Sequence, residues 1–511
     1  MQHQKFFNLK LLQKKIQRKF NPVKKINPQP IEKEPPHYIT TGIKKILALP
    51  KNIRLIILIA PLVFALAIFI ASVCSWTKSY KNTEKIEPLT QMQLMSLDSI
   101  LDEFYPMQRT EHLKQLPYPV TPVKLQVYSG AAILIDASNG CILYEKNADD
   151  LIPPASLTKL FVMYIVLKDV AEGKTSLDNI VPLPERSWAI NLPSDASLMH
   201  LGQGQQVTLR ELLQGLAVAS GNDAAIAVAY YISGSLPAFV ERMNQECEEL
   251  GLTHTHFVEP SGYDENNITT ARELAEFARI YITKYPESIK QFHSLKNIRY
   301  PLQKNLPSWQ KNLGDAKAIF QKNTNPLLGT LYGVDGIKTG FIYESGYNLA
   351  LTAQRNNNRF ISVTMRGPGQ GSAQGNAYRV KDGTTMMEWA FNSFADYTPV
   401  NRIKLEYTVP VPGAQKRSGK FVNLVPAWTN SITVPHVYSG TAVQNADSVK
   451  AFVTIPKYIF GETKAGAAYG QIQYKLGDIV LETVPLVADR TITKAGASGR
   501  FWGRIAAYTL K

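Results

Sequence analysis

Cysteine is scarce. Cys74, Cys141 and Cys247 are the only three in 511 residues, too few for a disulfide framework and without the CxxC spacing of a zinc site. Their scarcity leaves the redox compartment open. Glycine and proline, 32 and 31 residues, stay near their usual share, which excludes collagen-like and low-complexity chains. Charged residues make up 19% and apolar ones 45%, so a largely disordered chain is excluded too. No internal repeat is evident. Acids are the minority charge, 41 against 56 bases, for a formal balance of +15. The length suggests two or three folded units.

The positive charge is concentrated. Residues 1–54 hold 13 Lys/Arg and two acids, Glu32 and Glu34, which leaves a net +4 for the rest of the chain. An overall basic balance can signal nucleic-acid binding. Here the basic stretch leads into Leu55–Trp76, 22 residues without a charge, enough at about 1.5 Å per residue to cross a hydrocarbon core of roughly 30 Å. The expected reading is an uncleaved signal-anchor at 55–77. Its basic tail at 1–54 would lie in the cytoplasm and the bulk of the chain outside, with no nucleic acid as partner. Ala71–Cys74 is a poor lipoprotein cleavage box because Val73 precedes the cysteine, and Cys74 reads as a small apolar residue of the span.

Residues 78–127 are polar except for Leu89–Phe104, where Met92, Leu94, Met95, Ile100, Leu101 and Phe104 recur at helical spacings. This segment reads as a stalk, or as an extra helix packed on the next domain. A first compact domain is expected at 128–396. It opens with AAILIDASNGCILYE, where Asn139-Gly140 suits a two-residue hairpin turn. Helices are expected after Pro153-Pro154 and at 208–231, 236–250 and 270–282, and strands at 347–352 and 360–365. Strands at both ends with helices between suggest an α/β sandwich on an antiparallel sheet. From about Tyr397 to 511, short alternating runs such as RIKLEYTVPV, SITVPHV and IVLETVPLV spell a separate all-β module.

Three short motifs could carry chemistry. In Ser156-Leu157-Thr158-Lys159 a hydroxyl and an amine share a helix face near its N-terminus, and a lysine of lowered pKa can activate a serine. SxxK also occurs at Ser75…Lys78 and Ser308…Lys311, so alone it is weak. Ser220-Gly221-Asn222 interrupts the apolar LAVASGNDAAIAVA, where polar groups need partners; a helix kink or cap would account for it equally. Lys338-Thr339-Gly340, at a strand, suits binding of a carboxylate, with glycine allowing close backbone approach.

Together, in this order and 64 and 118 residues apart, the three resemble the motif trio of penicillin-binding proteins and class A β-lactamases. The chain resembles a low-molecular-mass penicillin-binding protein of the D-alanyl-D-alanine carboxypeptidase type, on IPPASLTKLFVMYIVL, LQGLAVASGNDAAIAVA, GLTHTHFVEPSGYD and GVDGIKTGFIYESGYNLALTA. The likeness covers about 128–396, and the β-rich tail resembles the family's second domain.

The resemblance implies an antiparallel sheet with a helical cluster of the β-lactamase/transpeptidase type, a small all-β domain, and no cofactor. It further implies Ser156 as acylated nucleophile, Lys159 as its proton acceptor and Ser220 as proton relay. Asn222 would hold the substrate amide and Lys338 and Thr339 the terminal carboxylate. Gly340 completes this binding strand, and the N–H groups of Ser156 and Phe341 form the oxyanion hole. Phe341 departs from members carrying histidine there, which bears on rate or specificity. The partners implied are a peptidoglycan stem peptide and β-lactam antibiotics, met outside the cytoplasmic membrane.

Other candidates are weaker. His254 and His256 have no third ligand at matching spacing, so no metal is expected. Glu259 lies near where a class A β-lactamase keeps its deacylating glutamate, but EPSGYD fits a carboxypeptidase loop better. The alternatives are a β-lactamase, or a catalytically silent scaffold that binds peptidoglycan. Relatives commonly attach by a C-terminal amphipathic helix; GRFWGRIAAYTLK is expected to leave no room for a full one.

Overall fold

A computed structural model describes residue 46 and residues 48–81, 86–109, 112–120, 123–399, 407–440 and 442–510. Most of the basic tail expected at 1–54 lies outside them. The chain divides into a unit ending at Lys78 and a second at Ser79–Lys511. The apolar segment, in the first, belongs to the helix Lys51–Lys81, 31 residues with Pro61 inside, whose last three residues fall past that boundary. At about 1.5 Å per residue it is long enough to cross a bilayer, and it is the one such single helix among the described residues.

In the second unit the chain forms a six-stranded sheet in the order Lys114–Gln115, Cys141–Lys146, Ala131–Asp136, Asn358–Gly367, Gly346–Arg355, Val334–Ile342. The first pair is parallel and the rest antiparallel. AAILID does not alternate because both its faces are covered: Ile133 and Ile135 join a core with the helical cluster, while Ala132 and Leu134 meet Met386, Met387 and Ala390 of the helix Gly371–Ser393 on the other side. In the helical cluster, Lys159–Ala171 is buried along Lys159–Leu167, and its Phe161 ring stacks on Phe277 at 3.6 Å. Burial of each such ring contributes about 1.5–3 kcal/mol.

The hairpin differs from expectation. The strands stop at Asp136 and Cys141, leaving a four-residue loop. Asn139 is drawn away from a tight turn because its Nδ2 donates to Thr433 Oγ1 (2.8 Å) and to Ser431 O (3.1 Å) in the β-rich region. The expected 208–231 helix is also interrupted. It runs Leu209–Gln214, passes through a wide turn at Gly215–Ala219, and resumes at Asn222–Ser233.

The C-terminal region forms a five-stranded antiparallel sheet in the order Tyr407–Pro410, Phe421–Pro426, Ile479–Ala488, Ala468–Leu476, Lys450–Thr454. The helix Gln91–Phe104 lays Leu97 and Leu101 into this sheet's core beside Val409, Val422 and Leu424. Arg109 fixes it, pairing with Asp98 and Asp102 and donating to Ala427 O at 2.8 Å. The chain also has a 14-residue helix at Ala497–Leu510, where no full helix was expected. Its small residues Gly503, Ala506 and Ala507 form the buried face, and a side chain at 503 would collide with Gly413.

Candidate active site

The three motifs come from three different elements and meet at one cleft. After Pro153-Pro154 the chain makes a short turn at Ala155–Thr158 and continues as the helix from Lys159. Ala155 adopts φ +52, a left-handed conformation that costs a non-glycine residue about 1–2 kcal/mol. Neighbours hold it there. A Cβ on Gly340 would lie 2.7 Å from Pro154 O and 3.1 Å from Ser156 N, and one on Gly262 would overlap Ala155 O. Glycine at both places lets the Val334–Ile342 strand and the 259–267 loop close directly on the Ser156 turn.

Lys159 is fully buried. Its Nζ lies 2.9 Å from Ser156 Oγ and 2.8 Å from Asn222 Oδ1, and also meets Ser261 O. Burial is the leading cause that brings its pKa down to about 7, against the opposing pull of the Glu259 and Asp223 carboxylates. A neutral amine has two N–H groups and one lone pair. Asn222 Oδ1 and Ser261 O can only accept, so they take both N–H groups and turn the lone pair toward the Ser156 hydroxyl.

Ser220 is buried at the end of the wide turn, at φ +60 and ψ 32. The expected kink is present, and this break in the helix is what brings Ser220 and Asn222 to the cleft. Asp223 ties the 197–201 segment to this break, accepting from the N–H groups of Met199 (2.8 Å) and Leu201 (3.0 Å).

Lys338, Thr339, Gly340 and Phe341 lie in the Val334–Ile342 strand at the sheet edge. Lys338 is buried and donates to Thr339 O at 2.9 Å; Thr339 Oγ1 donates to Thr324 Oγ1 at 2.7 Å. Burial, and then the Lys159 and Arg379 cations, hold the Lys338 ammonium well below its ordinary value.

Arg379, which no sequence motif marked, projects from the Gly371–Ser393 helix into the same cleft. It donates to Gly340 O, to Asn348 O (3.1 Å) and to Asn376 Oδ1 (2.7 Å), with its guanidinium 4.9 Å from the Tyr347 ring centre. Burial brings its pKa down to about 10. Among the described residues no carboxylate forms an ion pair with Lys159, Lys338 or Arg379. Buried basic groups without a directly paired carboxylate suit an anionic ligand.

Two hollows of about 550 and 720 Å³ share Ser156, Asp195, Ser197, Phe341 and Tyr343 in their walls. Phe341 lines both, its ring against Tyr347 (4.5 Å) and Tyr343 (5.3 Å). The weaker candidates fall elsewhere. Glu259 turns its carboxylate into its own loop, accepting from Ser261 N (2.7 Å), Ser261 Oγ (2.6 Å), Tyr263 N (2.9 Å) and Asn267 Nδ2 (3.0 Å). Its work is to carry Ser261 O to Lys159. His254 Nδ1 sits 2.9 Å from Glu273, while the His256 backbone bridges Ile268. Among the described residues there is no cluster of three metal-ligating side chains. Ser308 and Lys311 are exposed.

Comparison with known proteins places the chain among relatives. A family profile described as D-alanyl-D-alanine carboxypeptidase matches residues 118–369. The chain is 30% identical to D-alanyl-D-alanine carboxypeptidase DacC of Escherichia coli strain K12 over 381 residues, 73% of this chain and 86% of the relative. It is 30% identical to DacF of Bacillus subtilis strain 168 over 367 residues, 72% and 86% of the two chains. Among solved structures it is similar to penicillin binding protein 5 from Haemophilus influenzae, with TM-score 0.60 and 30% identity over 74% of this chain and all of the other. Penicillin binding protein 6B from Escherichia coli gives 0.56 and 27%, over 74% and 99%. The chain belongs to the D-alanyl-D-alanine carboxypeptidase family of serine peptidases.

Proposed function

We propose that the enzyme removes the terminal D-alanine of peptidoglycan pentapeptides through an acyl-enzyme on Ser156, and that β-lactams acylate the same serine. The observation that carries this reading is the Lys159 amine, buried, with a pKa near 7 and 2.9 Å from Ser156 Oγ. Neutral Lys159 takes the Ser156 proton as Oγ attacks the penultimate carbonyl carbon. The N–H groups of Ser156 and Phe341 hold the oxyanion; losing one such donor costs about 10²–10³ in rate. Asn222 Nδ2 faces the substrate amide, and Lys338, Thr339 and Arg379 hold the terminal carboxylate. The peptide C–N bond breaks as the leaving amine receives the proton from Lys159 by way of Ser220. Water then attacks the ester, returning the Ser156 hydroxyl and releasing the shortened peptide as its carboxylate.

The helix Lys51–Lys81 is proposed as a single-pass anchor in the cytoplasmic membrane, with the catalytic part in the periplasm or cell-wall space. Its apolar length and the basic residues before it support this. Mass spectrometry of the products from a defined pentapeptide tests the reaction. Tetrapeptide plus free D-alanine is expected from the wild type and neither from Ser156→Ala; D-alanine release by that variant at the wild-type rate would refute it.

A further inference from the structure

The proposed mechanism depends on a strained turn, and one side chain outside all three motifs ties that turn to the rest of the site. Asn348 is fully buried in the Gly346–Arg355 strand, directly opposite Gly340 in the sheet register. Its Nδ2 donates to Pro153 O (3.0 Å) and Pro154 O (3.2 Å), the two carbonyls leading into left-handed Ala155 and then Ser156. Its Oδ1 accepts from Arg366 N at 3.0 Å, where the chain is again left-handed (φ +57) before the loop to the Arg379 helix. Its main-chain oxygen accepts from Arg379 Nε at 3.1 Å. A single residue thus touches the nucleophile turn, the strand that supplies the Phe341 N–H, and the cation held for the substrate carboxylate.

We propose that Asn348 is a positioning residue for acylation: it fixes the Ser156 turn against the Val334–Ile342 strand, so that the Ser156 and Phe341 N–H groups converge on one oxygen. A left-handed alanine persists only where its surroundings over-determine it. The carboxamide does this from the sheet side, by holding both preceding carbonyls at once. Asparagine suits the place because it offers donors on one edge and an acceptor on the other. Aspartate has the same shape but would set a carboxylate oxygen against two carbonyls. Serine is too short to hold both.

The inference rests on the acyl-enzyme reading, so the experiment separates the two. Acylation by a fluorescent penicillin, and kcat and KM for D-alanine release, are measured for the full-length wild type, Ser156→Ala, Asn348→Asp and Asn348→Ser. Thermal unfolding is followed in parallel. If the wild type neither acylates nor releases D-alanine, the functional reading itself falls. With an active wild type, the expected result is a folded Asn348→Ser protein whose acylation rate and kcat fall by on the order of 10²-fold, with KM within about threefold. Asn348→Asp is expected to fall further. A folded Asn348→Ser with wild-type kcat and acylation rate overturns the proposal, as does a loss confined to KM. Should Asn348→Ser not fold, Asn348→Gln keeps both functional groups one methylene farther out; wild-type kcat in that variant would likewise overturn it.

Discussion

Two regions of this molecule bury titratable side chains, and they do so to opposite ends. In the cleft, Lys159, Lys338 and Arg379 are buried basic groups set among hydrogen-bond acceptors, with pKa values drawn down by burial, and Arg379 lines the hollow beside Ser156. Where the main sheet meets the β-rich region, Asp396 stands beside Asp136, and burial together with the Asp136 charge pushes its carboxyl far above the usual carboxylate range. Asp396 Oδ1 is buried beside Asp136, which itself accepts from Thr433 Oγ1 at 2.5 Å and Ser138 Oγ at 2.6 Å. Neither acid lines the two hollows beside Ser156. A perturbed pKa is therefore a poor marker of function by itself; a perturbed group facing a hollow beside a nucleophile is a good one.

The largest expected effect that would break this contrast lies at Ser156. Ser156→Ala should abolish penicillin labelling and lower D-alanine release by at least about 10³-fold, read by gel fluorescence and product analysis, because among the described residues the Ser156 oxygen is the one hydroxyl in contact with Lys159 Nζ, whose other partners are an amide and a main-chain carbonyl oxygen. Next is the proposed carboxylate subsite. Lys338→Ala should lower kcat/KM by about 10²-fold, yet cost almost nothing on a substrate whose C-terminus is amidated. Equal losses on both substrates would mean that Lys338 serves the fold.

The pH profile sharpens the comparison further. With Lys159 near 7 and acting as a base, kcat/KM should rise about tenfold per unit as pH climbs to 7 and flatten above it. A rate that falls through this range would assign Lys159 to the charged form. The smallest effect belongs to the acid pair. The folded chain holds the Asp396 proton at pH values where the unfolded chain has lost it, so this group contributes most at low pH and its contribution falls as pH rises through neutrality. Asp396→Asn, with no proton to lose, should gain about 1 kcal/mol at pH 8, or roughly 2–4 °C in Tm, with kcat unchanged.

Much of this was legible in the sequence where local chemistry left a pattern. Ser156…Lys159, Ser220…Asn222 and Lys338…Gly340 were visible as motifs, and the structure brings them to one cleft. Arg379 and Asn348 were not, because each works through partners distant in sequence and neither sits in a periodic or spaced signal. Phe421–Pro426 escaped the reading of the β-rich region because burial on both faces removes its alternation. The hairpin at Asn139-Gly140 read as a two-residue turn because nothing local reveals that Thr433 and Ser431 claim the asparagine. Glu259 looked like a possible base by position alone, and only its bonds to its own loop assign it to holding Ser261.

The most direct test is to trap the full-length protein with benzylpenicillin, digest it and locate the adduct by mass spectrometry. The account predicts one penicilloyl group per chain, on the peptide carrying Ser156, with Ser220 unmodified and with trapping slowed below pH 7. An adduct on any other residue, or an intact unmodified chain after prolonged exposure at pH 8, would contradict it.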